Sequence, residues 1–235
     1  MRKLIFIVFI LCLILGCYKN SDYEIGKGIA AEDILKLTAD PITIPADGAS
    51  TTRVKAHIPP EADPSKRAVT LETNAGIWIE NGTKTITITA NTDGDAMAEL
   101  QSETVPKTAR VRAGIANIIQ EAEVTFERAF PESITVDPGC FGLKASLTET
   151  TTVKANLTRQ TGKPSEGTIV NFSATNNNGD AIGNFRTITT SNKEGTATAL
   201  FCVGNTKYRG VVIIKASTEA KDGVIEGTAS IIVIK

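Results

Sequence analysis

In Gly94-Asp95-Ala96-Met97-Ala98-Glu99-Leu100, small or apolar side chains occupy every second position directly after a glycine. The same pattern returns 101 residues later in Gly195-Thr196-Ala197-Thr198-Ala199-Leu200-Phe201. Alternation with a period of two places one set of side chains on a single face of a β-strand. The repetition at a fixed offset indicates that one structural unit occurs twice.

Other segments keep almost the same offset. Val69 and Leu71 correspond to Val170 and Phe172, and Asp40-Pro41 corresponds to Asp137-Pro138. Short alternating segments separated by glycine-containing turns are typical of β-sandwiches. We therefore predict an all-β chain with two tandem sandwiches, residues 34–129 and 130–235, with the boundary near Ala129 to Pro131.

Three segments carry a resemblance to a known family: Ile44-Pro45-Ala46-Asp47-Gly48-Ala49-Ser50-Thr51-Thr52, Gly162-Lys163-Pro164-Ser165-Glu166-Gly167, and Asn192-Lys193-Glu194-Gly195-Thr196-Ala197. They resemble the bacterial immunoglobulin-like domains of intimin and invasin. Each repeat departs from the pattern once: the first has Pro59 to Pro64 in place of the Gly-Lys-Pro turn, and the second lacks the Ala-Asp-Gly opening. The resemblance implies extracytoplasmic modules that act as spacers and, in some members, as adhesion surfaces.

The N-terminus has the features of a secretory signal. Arg2 and Lys3 precede an apolar run from Leu4 to Leu15, and Gly16 precedes Cys17. The run is shorter than the roughly 20 residues that span a bilayer, which disfavours a permanent transmembrane helix. Ile14-Leu15-Gly16-Cys17 resembles the lipobox of bacterial lipoproteins. That resemblance implies cleavage after residue 16 and attachment to the membrane through lipid on Cys17, and an ordinary signal peptide is the alternative.

Residues 17–33 are predicted to form a short tether, because they are polar and have no stable apolar period. Tyr18 stands where lipoproteins of the inner membrane tend to have Asp, so the resemblance implies a lipid-anchored protein of the cell envelope, in the outer membrane if the host has two.

The composition excludes several other classes. Hydrophobic residues make up 41% of the chain, which is typical of a globular protein. The net charge is −1, so there is no basic field for nucleic acid. No phosphate-binding loop or other cofactor motif occurs, and two cysteines with one histidine cannot complete a tetrahedral metal site. Asp93-Gly94-Asp95 lacks the further acidic ligands of a calcium loop and is interpreted as a hairpin turn.

Cys140 and Cys202 remain once Cys12 and Cys17 are assigned to the signal and the anchor. An even pair in an oxidising compartment makes them candidates for a disulfide. Cys202 follows Phe201, however, so it faces away from a core that contains Ala197, Ala199 and Phe201 unless the strand ends or bulges there. Two separate buried thiols, or one reactive thiol, are the alternatives.

Three residues are candidate ligand contacts. Trp78 is an aromatic that could stack on a sugar, with a place in the core as the alternative. Tyr208 and Arg209 combine two residue types that are enriched at binding hot spots, with a solvated loop as the alternative. His57 has no activated nucleophile in a recognisable frame, so it is interpreted as a surface histidine and the protein as a non-enzyme.

These expectations describe a membrane-anchored, non-catalytic binding or adhesion module whose partner is an extracellular protein or glycan. A structural spacer or assembly scaffold in the periplasm is the first alternative. A polysaccharide-capture accessory is the second, and it requires an exposed Trp78. The sequence leaves the oligomeric state open.

Overall fold

The computed structural model describes residues 34–63 and 66–235, and the predicted signal, anchor and tether lie outside this part of the chain. The described residues form seventeen β-strands. Those of sandwich one are β1 (Lys36–Asp40), β2 (Thr43–Ala46), β3 (Thr51–His57), β4 (Ala68–Thr73), β5 (Ile77–Trp78), β6 (Thr85–Thr89), β7 (Asp95–Gln101), β8 (Lys107–Ile115) and β9 (Ile118–Arg128). Those of sandwich two are β10 (Ser133–Asp137), β11 (Gly142–Lys144), β12 (Thr151–Thr158), β13 (Asn171–Thr175), β14 (Asn184–Arg186), β15 (Thr196–Cys202), β16 (Gly210–Ala220) and β17 (Gly223–Ile234).

Each sandwich consists of two facing sheets. In sandwich one, sheet A has the strand order β1-β3-β7-β5 and sheet B the order β2-β9-β8-β4-β6. In sandwich two, sheet C has the order β10-β12-β15-β14 and sheet D the order β11-β17-β16-β13. Apart from β6, which has no counterpart strand in sandwich two, the two topologies match strand for strand, including a short parallel pairing of β2 with β9 and of β11 with β17. The all-β prediction with two tandem sandwiches is confirmed.

The alternating segments form strands because one face of each is apolar. Ala96, Ala98 and Leu100 on β7 are buried, as are Ala197, Ala199 and Phe201 on β15. Sandwich one has one core cluster, from Leu35 to Phe126, and sandwich two has two clusters between Ile134 and Val233. Each sandwich therefore has hydrophobic core clusters of its own among the described residues, as is typical of a unit of about 100 residues.

The same turn precedes β7 and β15. The Asn91 side-chain oxygen accepts hydrogen bonds from the backbone N–H groups of Asp93 and Asp95, and Asn192 does so for Glu194 and Thr196. Gly94 and Gly195 both have a φ of +83°. Asp93-Gly94-Asp95 is thus a turn, but it is not a hairpin, since it joins strands of different sheets.

Sandwich two differs from sandwich one at one edge. In sandwich one, β6 pairs with β4 along the edge of sheet B. Residues 186–190 of sandwich two, which correspond to β6, run along sheet C instead. There the Thr189 N–H donates to the Thr198 carbonyl at 2.9 Å. Sheet D therefore has four strands where sheet B has five. No helix in the described part of the chain is long and apolar enough to cross a membrane.

Candidate binding surface

Trp78 lies in the core of sandwich one. Its side chain is fully buried on β5, and its indole Nε1–H donates to the Lys84 carbonyl at 3.2 Å. The ring cannot stack on a ligand from this position, so the prediction of a Trp78 contact is wrong. The polysaccharide-capture alternative loses the exposed aromatic on which it depends.

Tyr208 and Arg209 lie in the loop between β15 and β16 and differ in role. The Tyr208 hydroxyl donates to the Val211 carbonyl at 2.7 Å, and the ring packs against the core of sandwich two. Tyr208 therefore holds the loop in place. Arg209 is exposed and donates to the carbonyls of Thr206 and Tyr208, which leaves a fixed positive charge on the surface.

Cys140 and Cys202 are both free thiols. Cys140 Sγ lies 3.2 Å from Thr151 Oγ1 and packs against the core. Cys202 follows the core residue Phe201, so its side chain points to the outer face. It is nevertheless buried there, because the chain at Ser146 and Leu147 covers it and accepts its thiol hydrogen at about 3.4 to 3.5 Å. The two sulfurs have different neighbours and are not bonded, so the predicted disulfide is corrected to two separate thiols, Cys140 half-buried and Cys202 buried.

His57 belongs to a surface ion cluster on sheet A. Its Nδ1 lies 2.6 Å from Asp95 Oδ1, and Lys55 Nζ lies 2.8 Å from Asp95 Oδ2. Hydrogen bonds from Lys55, and then from His57, lower the pKa of the Asp95 carboxyl below its ordinary value. Among the described residues, no group of three or more His, Cys, Asp or Glu is placed to hold a metal ion.

A hydrogen-bonded junction, which was not predicted from the sequence, joins the two sandwiches. Ser165 Oγ accepts from the Ala129 N–H and donates to the Ala46 carbonyl, both at 2.9 Å. The Ser165 N–H returns a bond to the Ala129 carbonyl at 2.9 Å, and the Lys163 N–H donates to the Asp47 carbonyl at 2.8 Å. All of these residues except Lys163 are almost completely buried. Buried polar groups that are fully paired fix one arrangement.

A glycine permits the close approach of the two loops. Gly162 has a φ of +66°, and a Cβ at this position would lie 2.5 Å from the Asp47 carbonyl oxygen. The Asp47 carboxylate caps its own turn by accepting hydrogen bonds from the N–H groups of Ala49 and Ser50. A larger residue at position 162 would therefore push against a rigid turn.

The junction brings together two of the segments that carry the family resemblance. Ala46-Asp47-Gly48 of the first repeat and Gly162-Lys163-Pro164-Ser165 of the second are the segments that carried the resemblance, and they contact each other across the boundary. The sequence therefore contains both segments of the junction, but each was interpreted as a local turn, and the contact between them was not predicted.

The strand registers place the candidate binding surface at the end of the molecule. Lys36 on β1 pairs with His57 at the end of sheet A away from the junction, so the chain enters sandwich one there. In sandwich two, β12 runs from Thr151 to Thr158, and the junction loop follows Thr158. The far end of sandwich two is therefore formed by the loops at 138–141, 145–150, 176–183 and 203–209. We call it the distal end, and it exposes Phe141, Leu147 and Arg209.

Solved structures with this fold include bacterial adhesins. The chain is similar to invasin, a bacterial integrin-binding protein, with a TM-score of 0.61 and 19% identity over 85% of this chain and 39% of that one. It is also similar to the Yersinia pseudotuberculosis adhesin InvE, with a TM-score of 0.56 and 15% identity over 89% of this chain and 62% of the other. The two sandwiches therefore share the tandem immunoglobulin-like fold of these structures.

The chain spans less than two thirds of either structure. No protein-family model matches the sequence, and no curated protein does. At these identities the similarity shows the fold, so what the chain does must be argued from its own surfaces.

Proposed function

We propose that this chain is a non-catalytic binding module of the bacterial cell surface, held to the membrane through lipid on Cys17. Sandwich one acts as a spacer, and the distal end of sandwich two contacts the ligand, an extracellular protein or glycan. The observation that carries the proposal is the junction. It joins the sandwiches end to end, so the distal end lies at the opposite end of the molecule from the point where the chain enters sandwich one.

The surface chemistry of the distal end supports a binding role. Phe141 is 77% exposed and Leu147 is 62% exposed, and Arg209 is held by two backbone carbonyls. Apolar side chains beside a positioned arginine are typical of interaction sites. Loops carried by a rigid sandwich are also the positions where such folds bind their partners.

Protease shaving of intact cells tests where the distal end lies. The digestion is monitored with an antibody to sandwich two. Lysed cells are the control that the protease can cleave this sandwich, and a soluble periplasmic protein is the control that the envelope is intact. We expect intact cells to lose the epitope. Protection in intact cells with cleavage after lysis would contradict surface display and favour the spacer or scaffold of the periplasm.

The anchor is tested separately with Cys17→Ser. We expect the wild-type protein to sediment with membranes and to incorporate a labelled fatty acid, because two or more acyl chains hold a protein stably on a bilayer. The variant should lose the label. Equal labelling of both proteins would contradict lipidation at Cys17.

A further inference from the structure

The guanidinium group of Arg209 is held at one nitrogen and open along one edge. Its Nη1 donates to the Thr206 carbonyl at 2.9 Å and to the Tyr208 carbonyl at 2.6 Å, which uses both hydrogens of that nitrogen. Arg209 makes no other hydrogen bond or ion pair with a described residue. Of the five N–H donors of a guanidinium, the Nε–H and both Nη2–H groups are therefore open. Nε–H and one Nη2–H point the same way, the arrangement that binds two oxygens of one anion.

The carbonyls that hold Arg209 belong to a rigid turn. Asn205 Oδ1 accepts from the Lys207 N–H at 2.9 Å, and the Tyr208 N–H donates to the Asn205 carbonyl at 3.3 Å. The Tyr208 hydroxyl is bonded to the Val211 carbonyl, and its ring packs against the core. The guanidinium group is thus in place before a ligand arrives, which reduces the conformational entropy that binding costs.

A second cation lies near Arg209 at the same end of sheet D. Arg209 directly precedes Gly210, which pairs with Val233 on β17. The next residue of β17, Ile234, pairs with Lys144 on β11. Lys144 and Arg209 therefore lie on either side of the end of β17, and two strand spacings separate their backbones by roughly 10 Å.

The acidic side chains of the distal end leave these cations unpaired. Asp180 accepts a hydrogen bond from Asn176 Nδ2 at 2.9 Å within its own turn, which follows β13 at the other edge of sheet D. Neither Asp180 nor Glu149 forms an ion pair with a described residue. Together with Lys144, the distal loops carry three cations, the others being Lys207 and Arg209, against these two carboxylates. The charge of this end is therefore complementary to an anion.

We propose that the distal end binds a carboxylate of a protein partner, with the Nε–H and Nη2–H edge of Arg209 as the bidentate donor and Lys144 as the second cation. The proposal rests on the proposed function and names the chemistry of its ligand. A carboxylate fits the open edge of Arg209 because its two oxygens match two parallel N–H groups. Phosphate and sulfate have further oxygens to satisfy, and sites for them generally add several converging backbone N–H groups.

The apolar surroundings of the two cations favour a protein over an acidic glycan. Ile234, between the two cations, is 48% exposed, and Ile232 on the same strand is 55% exposed. The Ile232 N–H donates to the carbonyl of Phe141, which is 77% exposed, so a third apolar side chain belongs to the same end. Protein interfaces combine an apolar centre with polar groups at its rim. The hydroxyl groups of a sugar acid would find no partners on these side chains.

Titration of the purified full chain with the peptide N-acetyl-Leu-Asp-Leu-amide tests the proposal. The readouts are the Nε–H signal of Arg209 and the backbone N–H signal of Gly210 in the proton–nitrogen NMR spectrum. We expect the peptide to shift both signals in a saturable way, because the carboxylate binds the open edge of Arg209. The same peptide with Asn in place of Asp should shift neither, since it lacks the charge.

Three variants separate the bidentate contact from general charge. Arg209→Lys keeps the charge without the paired donors, so it should raise the dissociation constant about tenfold or more, read at Gly210. Lys144→Ala should raise it about two- to fivefold, as is typical of one exposed ion pair. Arg186→Lys is the matched control, because Arg186 is exposed on β14 outside the loop that holds Arg209, and it should leave the dissociation constant unchanged. The remaining backbone signals show that each variant is folded.

The proposal is overturned if the Asp and Asn peptides act alike, or if Arg209→Lys binds as tightly as wild type. Inorganic phosphate and glucuronate are titrated in the same way. Tighter binding of phosphate would overturn the assignment of a carboxylate, and tighter binding of glucuronate would overturn the protein partner in favour of an acidic glycan. The titration does not depend on where the protein lies in the cell. A chain that protease removes from intact cells but that does not bind the Asp peptide therefore contradicts this inference and not surface display.

Discussion

At the scale of single residues, two glycines set the start of the central strand in each sandwich. A Cβ on Gly195 would lie 2.6 Å from the Leu157 carbonyl oxygen, and one on Gly94 would overlap the Ile58 carbonyl oxygen. The same residues are already hydrogen-bonded to these glycines, because the Leu157 N–H donates to the Gly195 carbonyl and the Ile58 N–H donates to the Gly94 carbonyl, each at 2.9 Å. Glycine is required here for close approach as well as for its positive φ.

Gly195→Ala should lower the free energy of unfolding by about 2 kcal/mol or more, because the new methyl group adds an overlap to an unfavourable φ. Gly82→Ala is the control. Gly82 has a φ of +68° but nothing within 4 Å of the position of its Cβ, so it should lose only about 1 kcal/mol. Urea unfolding measures both values. Equal losses would show that close packing at Gly195 contributes nothing.

Trp78 is the only tryptophan, so its fluorescence reports on one site. Because the ring is fully buried, its emission should be blue-shifted from that of free tryptophan and resistant to acrylamide quenching. Addition of soluble polysaccharides should leave the spectrum unchanged. An emission typical of a solvated indole would contradict the buried position and would restore the glycan-stacking interpretation.

Asp95 gives sandwich one a pH-dependent contribution to stability. Lys55 and His57 lower the pKa of its carboxyl in the folded state, so the stabilisation is present above the ordinary pKa of Asp and is lost as the pH falls through the lowered value. We expect Asp95→Asn to be less stable than wild type at neutral pH. The difference should shrink in acid. Urea unfolding at several pH values measures it, and a difference that is constant with pH would contradict this role.

At the scale of elements, the sequence predicts strands well and their partners less well. The period-two alternation of Ala197, Ala199 and Phe201 is sufficient to predict β15 and its buried face. The segments Thr85–Thr89 and 186–190 look alike, yet only the first is a strand of sheet B. Local pattern cannot choose between two sheets that both offer a free edge, because the choice depends on packing with distant residues.

The cysteines and the junction also show that a local sequence pattern does not predict contacts between distant residues. Strand alternation correctly indicated that Cys202 faces away from the core, but it gave no sign that Ser146 and Leu147 cover that face. Asp47 and Ser165 are 118 residues apart in the sequence and were each explained by a local turn. Contacts made by loops between sandwiches leave no periodic signal. They are visible only in the folded structure, where the two sandwiches meet end to end.

Ser165→Ala tests whether the junction couples the two sandwiches. The substitution leaves the buried Ala129 N–H and Ala46 carbonyl without their partner, which costs about 1 to 3 kcal/mol for each buried group left unpaired. We expect the coupling between the sandwiches to weaken, so that thermal unfolding changes from one transition to two. Ser173→Ala, at an exposed position of β13, is the control. A single unchanged transition in Ser165→Ala would contradict the stated role of the junction.

At the scale of the whole molecule, the two sandwiches form one elongated unit. Besides the bonds of Ser165, the Glu166 N–H donates to the Thr104 carbonyl at 2.9 Å, and Arg128 pairs with Glu219 at 2.8 Å. These contacts join different segments of the two sandwiches, so the boundary is held at more than one point. A flexible linker would let the distal end fold back toward the membrane. A fixed junction keeps it at a constant distance and orientation.

The distance between the sandwiches is the measurement that tests this account most directly. Double electron–electron resonance measures this distance between spin labels at two exposed positions, Thr87→Cys on β6 and Lys154→Cys on β12. The labelled chain also carries Cys140→Ser and Cys202→Ala, so that no other thiol of the two sandwiches is labelled. It is measured at a dilution at which copies do not associate. We expect one narrow distance distribution, which Ser165→Ala broadens. A broad distribution in the parent chain would contradict the fixed junction and, with it, the presentation of the distal end by a rigid spacer.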